Sequence, residues 1–460
     1  MRADSTIAES LAAYIHDLNY GDLPPEVVER LKELLLDQLG CEVIGSTVEW
    51  NQPVYRFVRE NKHGGAATVV NYGDRVPLDD AALVNGTFGQ GCELDDYYDQ
   101  GGGHPGASTV PVGMALAQRQ PISGKQFLAA LAAGYEIGWR VGRALLPEMM
   151  RRGYHAQGVV GVFVSATAAV KLLALDRTKI THALAIAGSH ASGTMEYDQS
   201  GGEVKRAHNG MACCGGLRSA MLAEMGLTGP PTIFEGERGI LRVFSGKCDT
   251  EPLIKKLGSE FAVMHAAVKR FPVNASQHSP IELLEKLIQE HRIRPADIRT
   301  IEVGVNEAVI LHGGSIVAPM EVIQAQFSLR FSLAVRLLRG SNDLKFYLDP
   351  ATWHAPDILD TVRKITLFAD PAAQAKRRFA CTMQITLADG RVLVGAVDAP
   401  KGTSANPLTH AEIREKFFRL GSSALPQAQL ERIAARVESL EEENDVSVVA
   451  SLLINKPATA

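Results

Sequence analysis

The hydrophobic period of this 460-residue chain changes twice along its length, and that order restricts the fold more than any single motif does. From residue 107 to about 225, small and apolar residues recur at helical spacing in segment after segment. After about residue 265 the pattern alternates: residues 299–305, 364–368 and 381–387 read as strands. The third runs through Ala388-Asp389-Gly390 into 391–397, a hairpin with Asp-Gly in its turn. Helices over 281–290 and 324–338 complete an α+β module. Near Pro400 the helical period returns, with Thr409 and Glu412 spaced as a capping box and helices to about 420 and over 426–443. A chain this long exceeds what one ordinary core supports. The expectation is a mainly α protein: a large all-helical domain built from both chain ends, residues 1–266 and 402–460, with an inserted α+β domain over 267–401.

Within the helical part, residues 5–19 read as a first helix, and Pro24-Pro25-Glu26 opens a second carrying Val28, Leu31, Leu35 and Leu39 on one face. Residues 67–70 suit a short strand, and 78–93 a small-residue helix. Gly134, Gly138 and Gly142 recur every fourth residue, which in a water-soluble chain points to close helix packing rather than a ligand site. Residues 197–210 read as a polar loop feeding a helix over 211–225.

Several function classes find no support. Lys and Arg total 47 against 52 Asp and Glu, a net charge of −5, so nothing favours nucleic acid or a membrane surface. Cysteines 41, 92, 213, 214, 248 and 381 contain no C-x-x-C, against a zinc ribbon or iron–sulfur cluster. No Walker, GxGxxG or HExxH sequence occurs. The N-terminal residues lack a signal-peptide pattern and no long apolar run suggests a span, so the expected location is cytoplasmic.

Four stretches carry candidate chemistry. The densest is Glu93-Leu94-Asp95-Asp96-Tyr97-Tyr98-Asp99-Gln100, followed by three glycines and His104-Pro105. His104, before a proline, is pushed from the helical region and lies near four carboxylates, a plausible general acid/base site; the alternative is a solvated acidic turn. If the run is helical, 93 and 96 or 95 and 99 share a face. Glu93, Asp95, Asp96 and His104 offer metal-ligand chemistry, but no paired-histidine motif supports it, and no metal is expected. The second stretch is Tyr154-His155 after Arg151-Arg152, where capping or packing competes with a site role. The third holds Asp198, Lys205, Arg206 and His208; its cations before a helix suit a carboxylate, and a solvent-exposed basic loop is the alternative. The fourth, Lys269 to His278, lies at the expected domain junction, where clefts favour ligands and a hydrated linker is the alternative.

Together these stretches resemble the MmgE/PrpD family, which includes 2-methylcitrate dehydratase, cis-aconitate decarboxylase and iminodisuccinate epimerase. The matching pieces are Glu93-Leu-Asp-Asp96 with His104-Pro-Gly106, Gly153-Tyr-His155, 171–176, Asp198 through Lys205-x-x-His208-x-Gly210, Gly229-Pro230 with Glu235-Gly236, and Lys269-x-Phe-Pro272 with His278. They occur in the family's order over most of residues 20–400.

The resemblance implies an all-helical domain with an α+β lid, an active site in the cleft between them, and a homodimer. It also implies a cofactor-independent lyase, without metal or iron–sulfur cluster, that moves a proton beside a carboxylate of a small hydroxy-di- or tricarboxylate. Dehydration is the simplest expectation, with epimerisation or decarboxylation as alternatives; a non-catalytic carboxylate-binding protein is a third. By matching position, His104 and Asp96 would transfer the proton and His155 would assist or orient. Lys205 would hold the developing charge, while Glu93, Tyr97, Arg206, His208, Lys269 and His278 would bind substrate. Three departures alter the expected pocket volume and reach: Glu93 where many relatives carry aspartate, Tyr97 where some carry a small hydroxyl residue, and a short glycine loop before His104.

Overall fold

The computed structural model describes residues 5–61, 64–98, 101–311, 313–376 and 379–455. The protein is mainly helical. Helix starts follow local chemistry. Ser123 caps Gly124–Leu145 in a capping box with Gln126, Thr409 caps His410–Gly421 in the same way with Glu412, and Pro25 and Pro105 occupy first turns, where a missing N–H costs nothing.

Among the described residues, two large apolar cores form beside a small cluster of Cys41, Val48, Cys92, Leu94 and Leu420. The larger takes residues from 7 to 268 and again from 408 to 453, so the two ends of the chain share it. Helix His410–Gly421 packs along Pro25–Gly45, with Phe417 3.3 Å from where a side chain on Gly40 would begin. Fully burying a residue like Phe417 contributes about 1.5–3 kcal/mol, whereas an exposed ion pair contributes about 0–1. Apolar packing therefore fixes the C-terminal helices. The smaller core draws on residues 271–387. It lies around a four-stranded sheet in the order 365–369, 298–305, 381–387, 392–397. Ile298–Val305 runs parallel to Ile365–Ala369 and antiparallel to Cys381–Leu387, and the hairpin turns at Gly390, whose φ is +90°. Helix His278–His291 packs on strands Cys381–Leu387 and Val392–Val397, and Leu329–Arg339 packs against that helix.

The glycine stripe does what its spacing predicts. A Cβ on Gly134 would sit 2.4 Å from Thr109, one on Gly138 2.5 Å from Val164, and one on Gly142 1.9 Å from the Gly101 carbonyl. Helix Gly124–Leu145 thus lies directly against Pro105–Ala117, Ala156–Leu172 and the glycine loop before His104. Two expected boundaries change. The helix expected over 324–338 is broken at Ser328, whose extended ψ of 104° ends Val322–Phe327 and whose side chain caps Leu329–Arg339. The expected polar loop to residue 210 is shorter, because Val204–Glu224 is already helical: Lys205, Arg206 and His208 are buried there by tertiary partners.

Candidate active site

The acidic stretch is not helical. Glu93 takes a left-handed conformation with φ +55°, and Tyr97–Tyr98 is extended and pairs antiparallel with Ala266–Ala267. A left-handed non-glycine residue costs about 1–2 kcal/mol, and four side chains from distant segments hold the strip in place. Trp50 Nε1 donates to the Gly91 carbonyl at 2.8 Å and Arg206 donates to the same oxygen at 2.6 Å. Gln326 donates to Cys92 at 3.0 Å, and Lys416 to Leu94 at 2.6 Å. Asp99, the fourth carboxylate of the motif, lies outside the described residues.

On this strip a buried chain of alternating charge runs Lys205–Glu93–Lys269–Asp95–His104. Glu93 pairs with Lys205 and lies 3.3 Å from Lys269, whose ammonium is also 3.1 Å from Asp95. All four of these side chains are 5% exposed or less. Burial opposes charge on the carboxyls, but the two lysines and His104 overcome it. Glu93 is held well below the usual carboxylate range, and Asp95, facing His104 and Lys269, is lowered to about 2. Burial also lowers Lys205, against the pull of Glu93, while for Lys269 the two carboxylates outweigh burial and raise it.

His104 ends the chain. Its Nδ1 is 2.8 Å from Asp95 Oδ2 and 2.9 Å from the Asp96 carbonyl. The angles suit a hydrogen bond to the carbonyl, and the carboxylate supplies negative charge beside it. Both partners are acceptors, so Nδ1 carries a proton and Nε2 is the ring nitrogen left to exchange a proton with a ligand. Gln157 holds the backbone on both sides, accepting from His104 N at 2.7 Å and donating to its carbonyl at 3.2 Å.

His155 stands at the N-cap position of helix Ala156–Leu172 without a side-chain bond to it, and meets His208 Nδ1 to Nδ1 at 3.0 Å, so one ring donates and the other accepts. Burial, then Lys205, His208 and His104, push His155 well below the ordinary histidine range; burial and Lys205 lower His208 to about 4. Both rings are neutral at pH 7. Tyr197 packs edge-on against His155 at 5.4 Å.

A cavity of about 140 Å³ joins these groups. Its polar wall includes Glu93, His104, His155, Lys205, Lys269 and Ser276, and its apolar wall includes Tyr97, Met150, Val309 and Phe379. Among the described residues, no cluster of three or more His, Cys, Asp or Glu is arranged to hold a metal ion, and no helix is long and apolar enough to cross a membrane.

Residues 9–253 match the profile of the MmgE/PrpD N-terminal domain, and residues 271–442 that of the C-terminal domain. The chain belongs to the MmgE/PrpD family. It is similar over 98% of its length to the cis-aconitate decarboxylase-like protein oryM of Aspergillus oryzae, at 31% identity and 98% coverage of that protein. It is 28% identical to the cis-aconitate decarboxylase of Aspergillus terreus, covering 98% of this chain and 96% of that one. The human cis-aconitate decarboxylase is also 28% identical, over 97% and 94% respectively. The protein is thus an enzyme of the MmgE/PrpD lyase type.

Of the residues expected in the site of this MmgE/PrpD enzyme, Glu93, Tyr97, His104, His155, Lys205 and Lys269 line the cavity. Asp96, Arg206, His208 and His278 lie behind its wall. Asp96 accepts from Gly106 N at 2.9 Å and Tyr135 Oη at 2.6 Å, which occupies both oxygens. Arg206 bonds Gly91, Glu203 and Gln326 and covers the Trp50 ring, so its fork braces the strip instead of facing a ligand. His208 stands behind His155 and Tyr197, and His278 packs on Phe271. Reading the sequence missed Asp95 as the partner of His104, and missed Gln157, Tyr197 and Ser276. A glutamine inside an apolar helix was the one visible signal, and Gln157 is such a residue.

Proposed function

We propose that this MmgE/PrpD enzyme is a lyase for a small hydroxy-di- or tricarboxylate, removing water by proton transfer through His104. The observation that carries this reading is the contact of His104 Nδ1 with the buried Asp95 at 2.8 Å, behind a cavity that His104 lines together with Lys205 and Lys269. A substrate carboxylate entering that wall meets a cation already held in place by Glu93. Fixed charges of this kind are commonly the largest contribution to such a step. His104 Nε2 takes the proton from the carbon beside that carboxylate, and the imidazolium formed is stabilised by Asp95. The electron pair moves into the carbon–carbon double bond as the hydroxyl leaves, and His104 returns the proton to it, so that water departs and the ring is restored. His155, kept neutral by burial, orients the leaving hydroxyl through a hydrogen bond and does not act as the acid.

Decarboxylation is the second reading, supported by the names of the full-length relatives. There His104, as imidazolium, gives its proton to carbon while a carboxylate leaves as carbon dioxide. Proton NMR of hydroxy- and unsaturated di- and tricarboxylates incubated with the enzyme in D2O tests both. Dehydration appears as loss of an α-proton signal with a new vinylic one. Decarboxylation appears as a product one carbon shorter carrying solvent deuterium. Stabilisation by a carboxylate without any exchange or product would overturn the lyase mechanism in favour of binding alone.

A further inference from the structure

Lys416 comes from helix His410–Gly421, more than three hundred residues after the acidic strip. Its side chain is 4% exposed, its ammonium lies 2.7 Å from Asp37 Oδ1 on helix Pro25–Gly45, and it donates to the Leu94 carbonyl at 2.6 Å. Leu94 stands between Glu93 and Asp95. Neither Lys416 nor Asp37 lines the cavity.

We infer that Lys416 is a positioning residue, which clamps the Leu94 carbonyl and thereby aims Asp95 at His104. The peptide unit is planar, so fixing the Leu94 oxygen also fixes the plane that carries the nitrogen and Cα of Asp95, the point from which its side chain starts. The clamp lies next to a strained residue: Glu93 holds φ +55°, and without restraint the following peptide can rotate toward the commoner extended form. Rotation there turns Asp95 away from His104 and Lys269. The other clamps act farther back, Trp50 and Arg206 on Gly91 and Gln326 on Cys92, so Lys416 holds the last carbonyl before the reacting group's partner.

A buried ion pair is weak evidence for stability on its own, because desolvation of both charges offsets their attraction. Asp37 alone would satisfy the charge of Lys416. The contact with Leu94 is what a purely structural pair does not require. It also ties the C-terminal segment, which contributes no cavity-lining residue among those described, to the site.

The inference rests on His104 as the proton-transfer group, and its test is chosen to read position without substrate. The Nδ1–H proton of His104, held between Asp95 and the Asp96 carbonyl, gives a resonance assigned by its loss in His104→Gln. Two charge-free variants are compared, since neither leaves a lone buried charge: Asp37→Asn with Lys416→Met, and Asp37→Asn with Lys416→Gln, whose amide retains a donor. With both folded to similar melting temperatures, the Met variant is expected to exchange that proton about tenfold faster or more, equivalent to about 1.4 kcal/mol. It should lose kcat by a similar factor with KM nearly unchanged. The Gln variant and Lys416→Arg should recover most of the signal. An unchanged resonance in the folded Met variant overturns the inference. If the Met variant does not fold, loss of the resonance in a folded Lys416→Arg, which keeps charge and donors, overturns it instead. If the parent neither exchanges an α-proton of any carboxylate nor forms a product, the lyase reading fails while the resonance still decides the clamp.

Discussion

His104 Nδ1 and Asp95 Oδ2 stand 2.8 Å apart in a buried setting, with Lys269 on the far side of the same carboxylate. This contact fixes which ring nitrogen carries a proton and places a carboxylate beside it. Asp95→Asn keeps shape but removes the charge, and the amide can present N–H to a nitrogen that already carries one. The expected outcome is a fall in kcat of about 10²–10⁴-fold, with KM within a few fold, because the lost interaction is greatest in the transition state. Steady-state kinetics on the substrate found by NMR checks it. A loss confined to KM counts against the role.

Lys269 is shared by two buried carboxylates, so its removal should be felt mainly as stability. Lys269→Met leaves Glu93 with Lys205 alone and Asp95 with only His104. Breaking a buried pair from one side costs about 3–5 kcal/mol. Without the cation both carboxyls are harder to ionise in the folded state, so folding takes up protons and the penalty shrinks as pH falls. Urea unfolding at about pH 7 and pH 5 should show the larger deficit at the higher pH; an equal deficit at both means that the charges are not what the lysine supports.

Much of this was readable from the chain, and what was not has a common cause. The change of period near 265 and its return near 400 placed the helical and mixed segments, and the spacing of Gly134, Gly138 and Gly142 foretold a close approach that the structure confirms. Resemblance pointed to Glu93, His104, His155, Lys205 and Lys269, all of which reach one cavity. The choice between Asp95 and Asp96 was not legible. Adjacent residues on a non-helical strip point to different sides, and the side depends on the left-handed turn at Glu93. Clamps from Trp50, Arg206, Gln326 and Lys416 hold that strip, and no local pattern reveals them. Arg206 misled for the same reason. Next to Lys205 it reads as a second carboxylate-binding cation, yet its partners are the Gly91 carbonyl, the Gln326 side chain, a glutamate and an indole ring.

Asp96 makes a prediction about pH. Burial, aided by the charges of Asp95 and Asp37, raises its carboxyl to about 7 from an ordinary 3.8, against the opposing bonds from Tyr135 and Gly106. Because the folded protein binds this proton more tightly, the stability it contributes is complete below the unfolded value and is lost as pH rises through the folded one. The loss amounts to roughly 4 kcal/mol across about pH 4–7. Glu42, raised by burial to about 8, acts with the same sign. Asp96→Asn can still accept from Gly106 and can donate to Tyr135, so it should flatten the fall in stability over that range and leave kcat within about threefold. An unchanged slope in urea midpoints against pH removes Asp96 from the account.

Tyr97 bounds the cavity from the apolar side and sets the last expectation. Its ring is 5% exposed and meets Phe379 edge-on with centroids 6.1 Å apart, so the two rings form one wall. Phe379 belongs to the segment beyond residue 271, so the contact joins residues far apart in the chain. In Tyr97→Ser the hydroxyl remains small and the ring volume becomes space next to His104. One added methylene in a pocket is worth about 1–3 kcal/mol of discrimination, and removal of a whole ring should relax selection against bulk by at least that much. The ratio of kcat/KM for a tricarboxylate to that for a dicarboxylate is therefore expected to rise about tenfold or more. Competition between the two substrates in one NMR tube measures the ratio directly and is insensitive to how much of the variant is folded. A ratio that stays fixed while overall activity falls would mean that Tyr97 supports the strip without bounding the substrate.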